Sequence, residues 1–263
     1  MLLEAKNVSK TFQSRRRSMP VHAVRDVTLQ ARPGEFVAIV GESGSGKSTL
    51  ARLLLNLIPA TSGTVELDGA PVGSMNRRER WAYRRSVQAV LQDPAGSLNP
   101  RKRVEQAIGE VIQLHGLATG HSDIRTRTLE ALHQVGMSPE KGFLDRFPHE
   151  LSGGQRQRVL IARALVLKPS IIVADEAVSA LDASVKAGVL RVMADLKGDV
   201  GVGYVFITHD LPIVEKVADR VYVMLNGEVV EEGTKDAIFS SPSHPYTRTL
   251  LEATPVLAPV RRP

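Results

Sequence analysis

The run Gly41-Glu42-Ser43-Gly44-Ser45-Gly46-Lys47-Ser48-Thr49 holds the most specific chemistry in the chain. Residues 41–48 fit G-x-x-x-x-G-K-[ST], a spacing suited to holding a polyphosphate. Gly41, Gly44 and Gly46 let the backbone curl so that successive N–H groups face phosphate oxygens. A helix starting near Lys47 adds the positive end of its dipole, and the Lys47 ammonium adds a mobile point charge. Ser48 offers a hydroxyl to the Mg2+ that accompanies a nucleoside triphosphate. The magnesium shell also needs a carboxylate at the end of a neighbouring buried strand, and Ile171-Ile172-Val173-Ala174-Asp175 provides one. Glu176 follows directly. Within a regular strand the two acids would diverge. A turn at the strand end lets Asp175 serve the metal while Glu176 orients or deprotonates water. Alone, the pair reads equally well as a solvated turn. His209 ends another apolar run, and a parallel strand order brings it to the same rim for a γ-phosphate contact. Positioning and charge neutralisation by these groups imply hydrolysis of a nucleoside triphosphate.

The elements that must carry these groups can be read around them. The β-branched run Phe36–Val40 leads into the glycine loop and residues 50–57 continue as a helix, the order the motif requires. Buried strands are expected over 87–91, 170–174 and 204–208, with a helix over 184–196 between the last two. The first ten residues alternate loosely and suggest an edge strand. Residues 21–29 suggest a second strand before the Pro33-Gly34 turn, and 64–67 a third before Asp68-Gly69. Helical periodicity runs from Arg103 to about Leu167, broken near 116–120 and 139–142. Asn226-Gly227, between apolar runs at 221–225 and 228–232, is a type I′ hairpin signal. The chain after Ser240 is rich in Pro and Ser. Strands alternating with helices make this an α/β fold with a largely parallel sheet and a helical insertion.

With 263 residues the chain can bury a substantial core. It has no cysteine, which excludes disulfides, Cys-ligated metal centres and a thiol nucleophile. No apolar run approaches the roughly 18 residues of a membrane-spanning helix. The start Met-Leu-Leu-Glu-Ala-Lys lacks the basic opening and apolar centre of a signal peptide, so a soluble, cytoplasmic protein is expected. The balance is basic, 34 Lys+Arg against 28 Asp+Glu for a net +6, compatible with phosphate ligands, nucleic acid or anionic lipid. Aromatics do not interleave with the basic clusters as single-strand stacking platforms would. Arg15-Arg16-Arg17 reads as a loop. Arg77-Arg78-Glu79-Arg80 with Arg84-Arg85 reads either as a solvated helix face or as a surface near anionic headgroups.

Leu151-Ser152-Gly153-Gly154-Gln155 lies roughly 100 residues after the glycine loop and roughly 20 before the acidic strand. By itself it is a glycine turn before a helix, with Ser152, Gly153 and Gly154 placed to form an anion nest. In this order with the other motifs, the chain resembles the ATP-binding cassette superfamily over essentially its whole length. The resemblance implies a single ABC ATPase domain over 1–263, built on a P-loop NTPase (RecA-like) α/β core. Residues 1–92 and 168–235 would form that core with an N-terminal antiparallel β subdomain, 93–167 an inserted α-helical signature subdomain, and 236–263 a family-specific tail. ATP and Mg2+ are the implied ligands, the metal held by Ser48, Gln92 and Asp175. Phe12 would stack on adenine, and Gln92 would sense magnesium and the lytic water. Residues 179–182, including Asp182, would cross to a partner cassette. Two cassettes would face head to tail around two ATP molecules, Lys47 of one and Ser152 of the other gripping the same γ-phosphate, with Gly153, Gly154 and Gln155 beside it. Lys47, Gln92, Glu176 and His209 form the implied catalytic set.

Within the superfamily, Ser241-Pro242-Ser243-His244-Pro245-Tyr246-Thr247-Arg248-Thr249-Leu250-Leu251 and residues 92–101 resemble the dipeptide, oligopeptide and nickel importer ATPases. Relatives with longer tails often carry clustered cysteines, absent here. Ala177-Val178 stands where most have proline and then threonine or valine, which is closer to the nickel type. The expected cargo is a di- or oligopeptide, with nickel or a nickel chelate as the alternative. The expected partners are membrane permease subunits docking near residues 94–114, a second identical or different cassette, and indirectly a solute-binding protein. The expected place is the cytoplasmic face of the inner membrane, with no nucleic acid partner. A soluble cassette acting on DNA or the ribosome competes with this reading. The spacing from glycine loop to signature, however, leaves no room for the coiled coils of DNA-repair relatives, and translation-type relatives carry two cassettes per chain. A fused exporter would need transmembrane helices.

Overall fold

The computed structural model describes residues 1–13, 19–91 and 94–253; the arginine run 15–17, Gln92 and residues 254–263 lie outside them. Strands β1 (Leu3–Phe12), β2 (Val21–Ala31) and β3 (Phe36–Val40) open the chain, and the glycine loop joins β3 to helix α1 (Lys47–Leu54). Next come β4 (Ser62–Leu67), β5 (Ala70–Pro71), α2 (Arg77–Ser86) and β6 (Val87–Val90). Helices α3 (Pro94–Ser97), α4 (Val104–Leu114), α5 (His121–Gln134) and α6 (Gly153–Leu165) follow without an intervening strand. The chain then alternates through β7 (Ile171–Asp175), α7 (Ala183–Val200), β8 (Gly203–Ile207), α8 (Leu211–Val217) and β9 (Arg220–Leu225). It ends in β10 (Glu228–Thr234), α9 (Lys235–Ser240) and α10 (Pro245–Glu252).

Two sheets result. One is six-stranded, ordered β10-β9-β3-β8-β7-β6, parallel throughout except for the β9–β10 hairpin. The other is four-stranded and antiparallel, ordered β2-β1-β4-β5. The parallel sheet divides two apolar cores, and its side chains part alternately between them. Phe36, Ala38 and Val40 of β3 enter the core formed with α4, α5, α6 and α7, whereas Val37 and Ile39 face the other. In the same way Tyr204 and Phe206 oppose Val205 and Ile207 on β8. Leu50, Ala51, Leu53 and Leu54 of α1 fill the space between the two sheets together with Leu3, Ala5, Val27 and Leu29.

Two expectations change. The first strand is not an edge: β1 lies between β2 and β4. Its pairing with β2 shifts register between Ala5 and Val8, between Val8 and Lys10 and again at Thr11, which breaks the side-chain alternation that a central strand would otherwise show. The acidic strand β7 is not next to β3, because β8 runs between them. Thr234 caps α9, and the Pro/Ser-rich chain after Ser240 holds α10, capped by His244 ahead of Pro245. The arginine cluster falls on α2, whose start is boxed by Asn76 and Glu79. Only Tyr83 of that helix is buried, and the five arginines all face solvent.

The β9–β10 turn bears on the glycine loop. Asn226 and Gly227 both take positive φ (51° and 89°), as a type I′ turn requires. Gly227 N–H donates to the Ser45 carbonyl at 3.0 Å, and its own carbonyl accepts from Arg25 N–H at 2.8 Å. The turn thereby bolts the glycine loop to β2. Gly227→Ala places a Cβ 3.2 Å from the Ala23 carbonyl oxygen in a left-handed backbone. It should lower stability by about 1–2 kcal/mol, read from urea unfolding.

Candidate active site

The carboxyl ends of β3, β8 and β7 lie side by side, and the chain leaves each with a polar group: the glycine loop, His209, and Asp175 with Glu176. In the loop Gly41, Gly44 and Gly46 all have positive φ (146°, 86° and 103°). A Cβ on Gly41 would collide with the Met224 carbonyl oxygen and one on Gly46 with that of Ala23, so β9 and β2 close on the loop from two sides.

This curl turns carbonyls toward Lys47. Its Nζ donates to Gly41 O at 2.7 Å and Glu42 O at 2.6 Å, with Ser45 Oγ at 3.2 Å. Lys47 and Ser45 are buried. Burial pulls the Lys47 pKa below the usual lysine range, against the raising influence of Glu176, Asp175 and Glu42. Ser43 and Thr49 border the same cleft, which Ser48, Gly44 and Glu176 line with them. Its opposite wall is Val21, His22, Ala23, Arg25 and Asn226. Sequence reasoning missed that wall. Its residues meet the glycine loop only through sheet pairing and the hairpin turn, and nothing in their types announces it.

Ser48 Oγ donates to Asp175 Oδ1 at 3.1 Å across the gap between α1 and β7. Asp175 is buried, and this desolvation raises its pKa, against the lowering effect of the Ser48 hydrogen bond. A hydroxyl and a desolvated carboxylate side by side are hard oxygen donors lacking a cation of matching charge, so the pair fits Mg2+. Glu176 departs from the strand by a left-handed turn (φ 47°), its N–H donating to Ile207 O at 2.9 Å. That turn separates the adjacent acids: Asp175 faces Ser48, while Glu176 Oε1 lies 3.3 Å from His209 Nδ1. Glu176 and His209 thus meet as a pair, and Glu176 also borders the phosphate cleft.

Phe12 is exposed at the lip, opposite Val21 across the β1–β2 ladder, with the Lys10 ammonium over its ring at 5.3 Å. Gln92 is outside the described residues. Ser152 is the N-cap of α6, its Oγ accepting from Gln155 N–H at 3.2 Å while Gln155 Oε1 accepts from Ser152 N–H at 2.9 Å. Gly153 and Gly154 begin the helix without positive φ, so the expected nest is a plain helix N-terminus instead. The missing side chains serve packing: a Cβ on Gly154 would run into Val185 and one on Gly153 would press on Leu181 at 3.1 Å. Asp182 caps α7, accepting from Val185 N–H at 3.0 Å and the Ser184 hydroxyl at 2.8 Å. The signature and the 179–182 loop are therefore neighbours, and Ser179 donates to the carbonyl of Glu176, which lines the cleft.

Residues 24–179 match the ABC transporter family, and the chain belongs to it as an ATP-binding cassette. Residues 230–263 match the C-terminal region of oligopeptide/dipeptide transporters. The glutathione import ATP-binding protein GsiA of Escherichia coli K12 is 46% identical over 242 residues, 92% of this chain and 38% of that protein. GsiA of Shigella flexneri matches to the same extent. The chain spans well under half the length of these curated relatives. Among solved structures, the dimeric post-hydrolysis state of the cassette MJ0796 bound to ADP and Pi superposes with a TM-score of 0.77 at 31% identity, covering 89% of this chain and 98% of that one. CbiO1 of Clostridium perfringens, part of the ABC transporter complex cbiONQ, gives 0.77 at 27% identity, covering 91% and 90%.

The raised pKa of Asp175 has a stability consequence. A carboxylate whose folded pKa lies above its unfolded value destabilises the fold once ionised; this penalty starts to shrink as pH falls through the folded pKa and is gone below the unfolded one. Asp175→Asn should raise the melting temperature of the nucleotide-free protein by a few degrees at pH 7, with the gap closing on acidification. It should also abolish magnesium-dependent nucleotide binding. Thermal melts of both proteins over a falling pH series check the sign.

Proposed function

We propose that the chain is the ATP-hydrolysing subunit that energises an importer of small peptides. The observation that carries the reading is one rim where Lys47, Ser48 and Glu176 line a common cleft, Ser48 paired with Asp175 and Glu176 with His209. The C-terminal match to oligopeptide/dipeptide transporters, and relatives named for import of glutathione, itself a tripeptide, support the cargo class.

The chemistry follows from the residues. Lys47 exchanges its carbonyl partners for β- and γ-phosphate oxygens, while loop N–H groups and the start of α1 hold the rest of the triphosphate. Ser48 and Asp175, with Gln92, would hold Mg2+. That site would supply Lewis-acid neutralisation of the charge developing on the phosphoryl oxygens. Glu176 orients the attacking water and draws its proton, and His209 supports Glu176 and contacts the γ-phosphate. Phe12 stacks on the adenine at the cleft's lip. Ser152, at the N-terminus of α6, serves the nucleotide of a second cassette, and Asp182 lies in the segment that meets that cassette. Two chains thus enclose two ATP molecules, as supported by the dimeric ADP-bound relative. Closure on ATP and reopening after hydrolysis drive the permease subunits between two states. Among the described residues no helix is long and apolar enough to cross a membrane, which suits a subunit that docks at the cytoplasmic face on separate membrane partners.

Glu176→Gln should retain ATP binding, lower turnover by roughly 100-fold or more, and accumulate a closed dimer by size-exclusion chromatography. Wild-type turnover in this variant would remove Glu176 from the water-activating role. A mixed assembly of Lys47→Ala chains with Ser152→Ala chains tests the shared site. One of its two composite sites then has both groups intact, so ATPase activity should exceed that of either variant alone.

A further inference from the structure

The C-terminal segment, far from the phosphate loop in sequence, reaches it directly. Glu42 N–H, inside the loop, donates to the hydroxyl of Tyr246 at 3.0 Å, across 204 residues. The Gly41–Glu42 peptide is thereby held at both ends, its N–H by Tyr246 and its carbonyl by the Lys47 ammonium at 2.7 Å. Gly41 sits at φ +146° with its Cα against the Met224 carbonyl.

Tyr246 is itself rigidly presented. Glu231 of β10 accepts from Ser243 N–H at 2.7 Å, the Ser243 hydroxyl at 2.8 Å and His244 N–H at 3.1 Å. His244 Nδ1 in turn accepts from Tyr246 N–H at 3.1 Å, and Arg248 closes the turn onto the carbonyls of Pro242 and Ser243, each at 3.0 Å. Burial opposes the charge on Glu231, but the hydrogen bonds outweigh it and hold its pKa down to about 2. The anchor is therefore ionised at any physiological pH. The Tyr246 ring packs on the core shared with α8 and α9, so only the hydroxyl is directed at the loop.

We infer that Tyr246 is a positioning residue for the phosphate loop: its hydroxyl fixes the Gly41–Glu42 peptide, and through it the C-terminal segment sets the affinity for nucleotide. The inference rests on the nucleotide-binding reading of the cleft. A peptide pinned at its N–H keeps its carbonyl turned to Lys47 and keeps the loop curled before phosphate arrives. Without the hydroxyl the peptide can rotate, and binding must then supply the ordering.

The test uses the full chain, with Mg·ATP binding followed by calorimetry and ATPase kinetics measured alongside melting temperature. Tyr246→Phe, which keeps the ring, should weaken ATP binding and raise KM roughly three- to tenfold, the scale of one neutral hydrogen bond. Its kcat at saturating ATP should stay within about twofold, since the water-activating pair is untouched. Glu231→Gln, which loosens the anchor without touching the loop, should shift affinity in the same direction. In the double variant the losses should not add, because both act through one contact. ATP affinity in Tyr246→Phe equal to wild type overturns the inference, as does a fall in kcat at unchanged KM. If the wild-type chain binds no Mg·ATP, the nucleotide reading fails and takes this inference with it.

Discussion

An ammonium group taken out of water must be met by oxygen, and Lys47 is met by the carbonyls of its own loop. Much of the architecture follows from that requirement. The carbonyls can face inward only because the loop's glycines adopt left-handed backbone, and two of those glycines tolerate no side chain because β9 and β2 press against them. The parallel sheet and the antiparallel sheet are therefore both committed to the loop, one through Met224 and the other through Ala23. The β9–β10 turn adds a third restraint through Gly227. A loop curled by three flanking elements is already in the shape that a phosphate would need.

The second organising fact is the arrangement of strand ends. Parallel pairing of β3 with β8 and of β8 with β7 delivers three chain exits to one edge, each with a different polar group. The interposed β8 puts His209 between the lysine-bearing and acid-bearing segments. The left-handed turn at Glu176 then splits two consecutive acids between two partners, Ser48 and His209. A non-glycine residue in that conformation is uncommon, and here it lies where two carboxylates have to point different ways.

The parts of this arrangement that were readable in the sequence are those with local causes. Phe36–Val40 and Ile171–Asp175 are β-branched runs closed by polar or glycine residues, and a strand buried on both faces needs no more signal. Asn226-Gly227 specifies its turn by the backbone its two residues accept. The glycine loop could be placed to the residue. What escaped notice depends on contacts between distant segments. The central place of β1 is set by pairing with β4, and its register shifts disguise the alternation. The far wall of the cleft, from Val21 to Arg25, belongs to a strand with no distinctive residue. Gly153 and Gly154 looked like an anion nest because glycine next to a capping serine suits one; their spacing against Leu181 and Val185 shows another use. The Pro/Ser composition of the tail hid the helix α10, although Pro245 at its first turn is an ordinary start signal.

That close approach of α6 to α7 limits what each can become. Gly154 has no room for a Cβ while valine stands at 185, so position 154 is not free to vary alone. A lineage that gained a side chain at 154 would first have to trim residue 185. A larger residue at 185 would in turn bar every alternative to glycine at 154. What position 154 can hold is thus conditional on position 185, and the helix that opens at Ser152 lies against the one that opens at Asp182 through that pair.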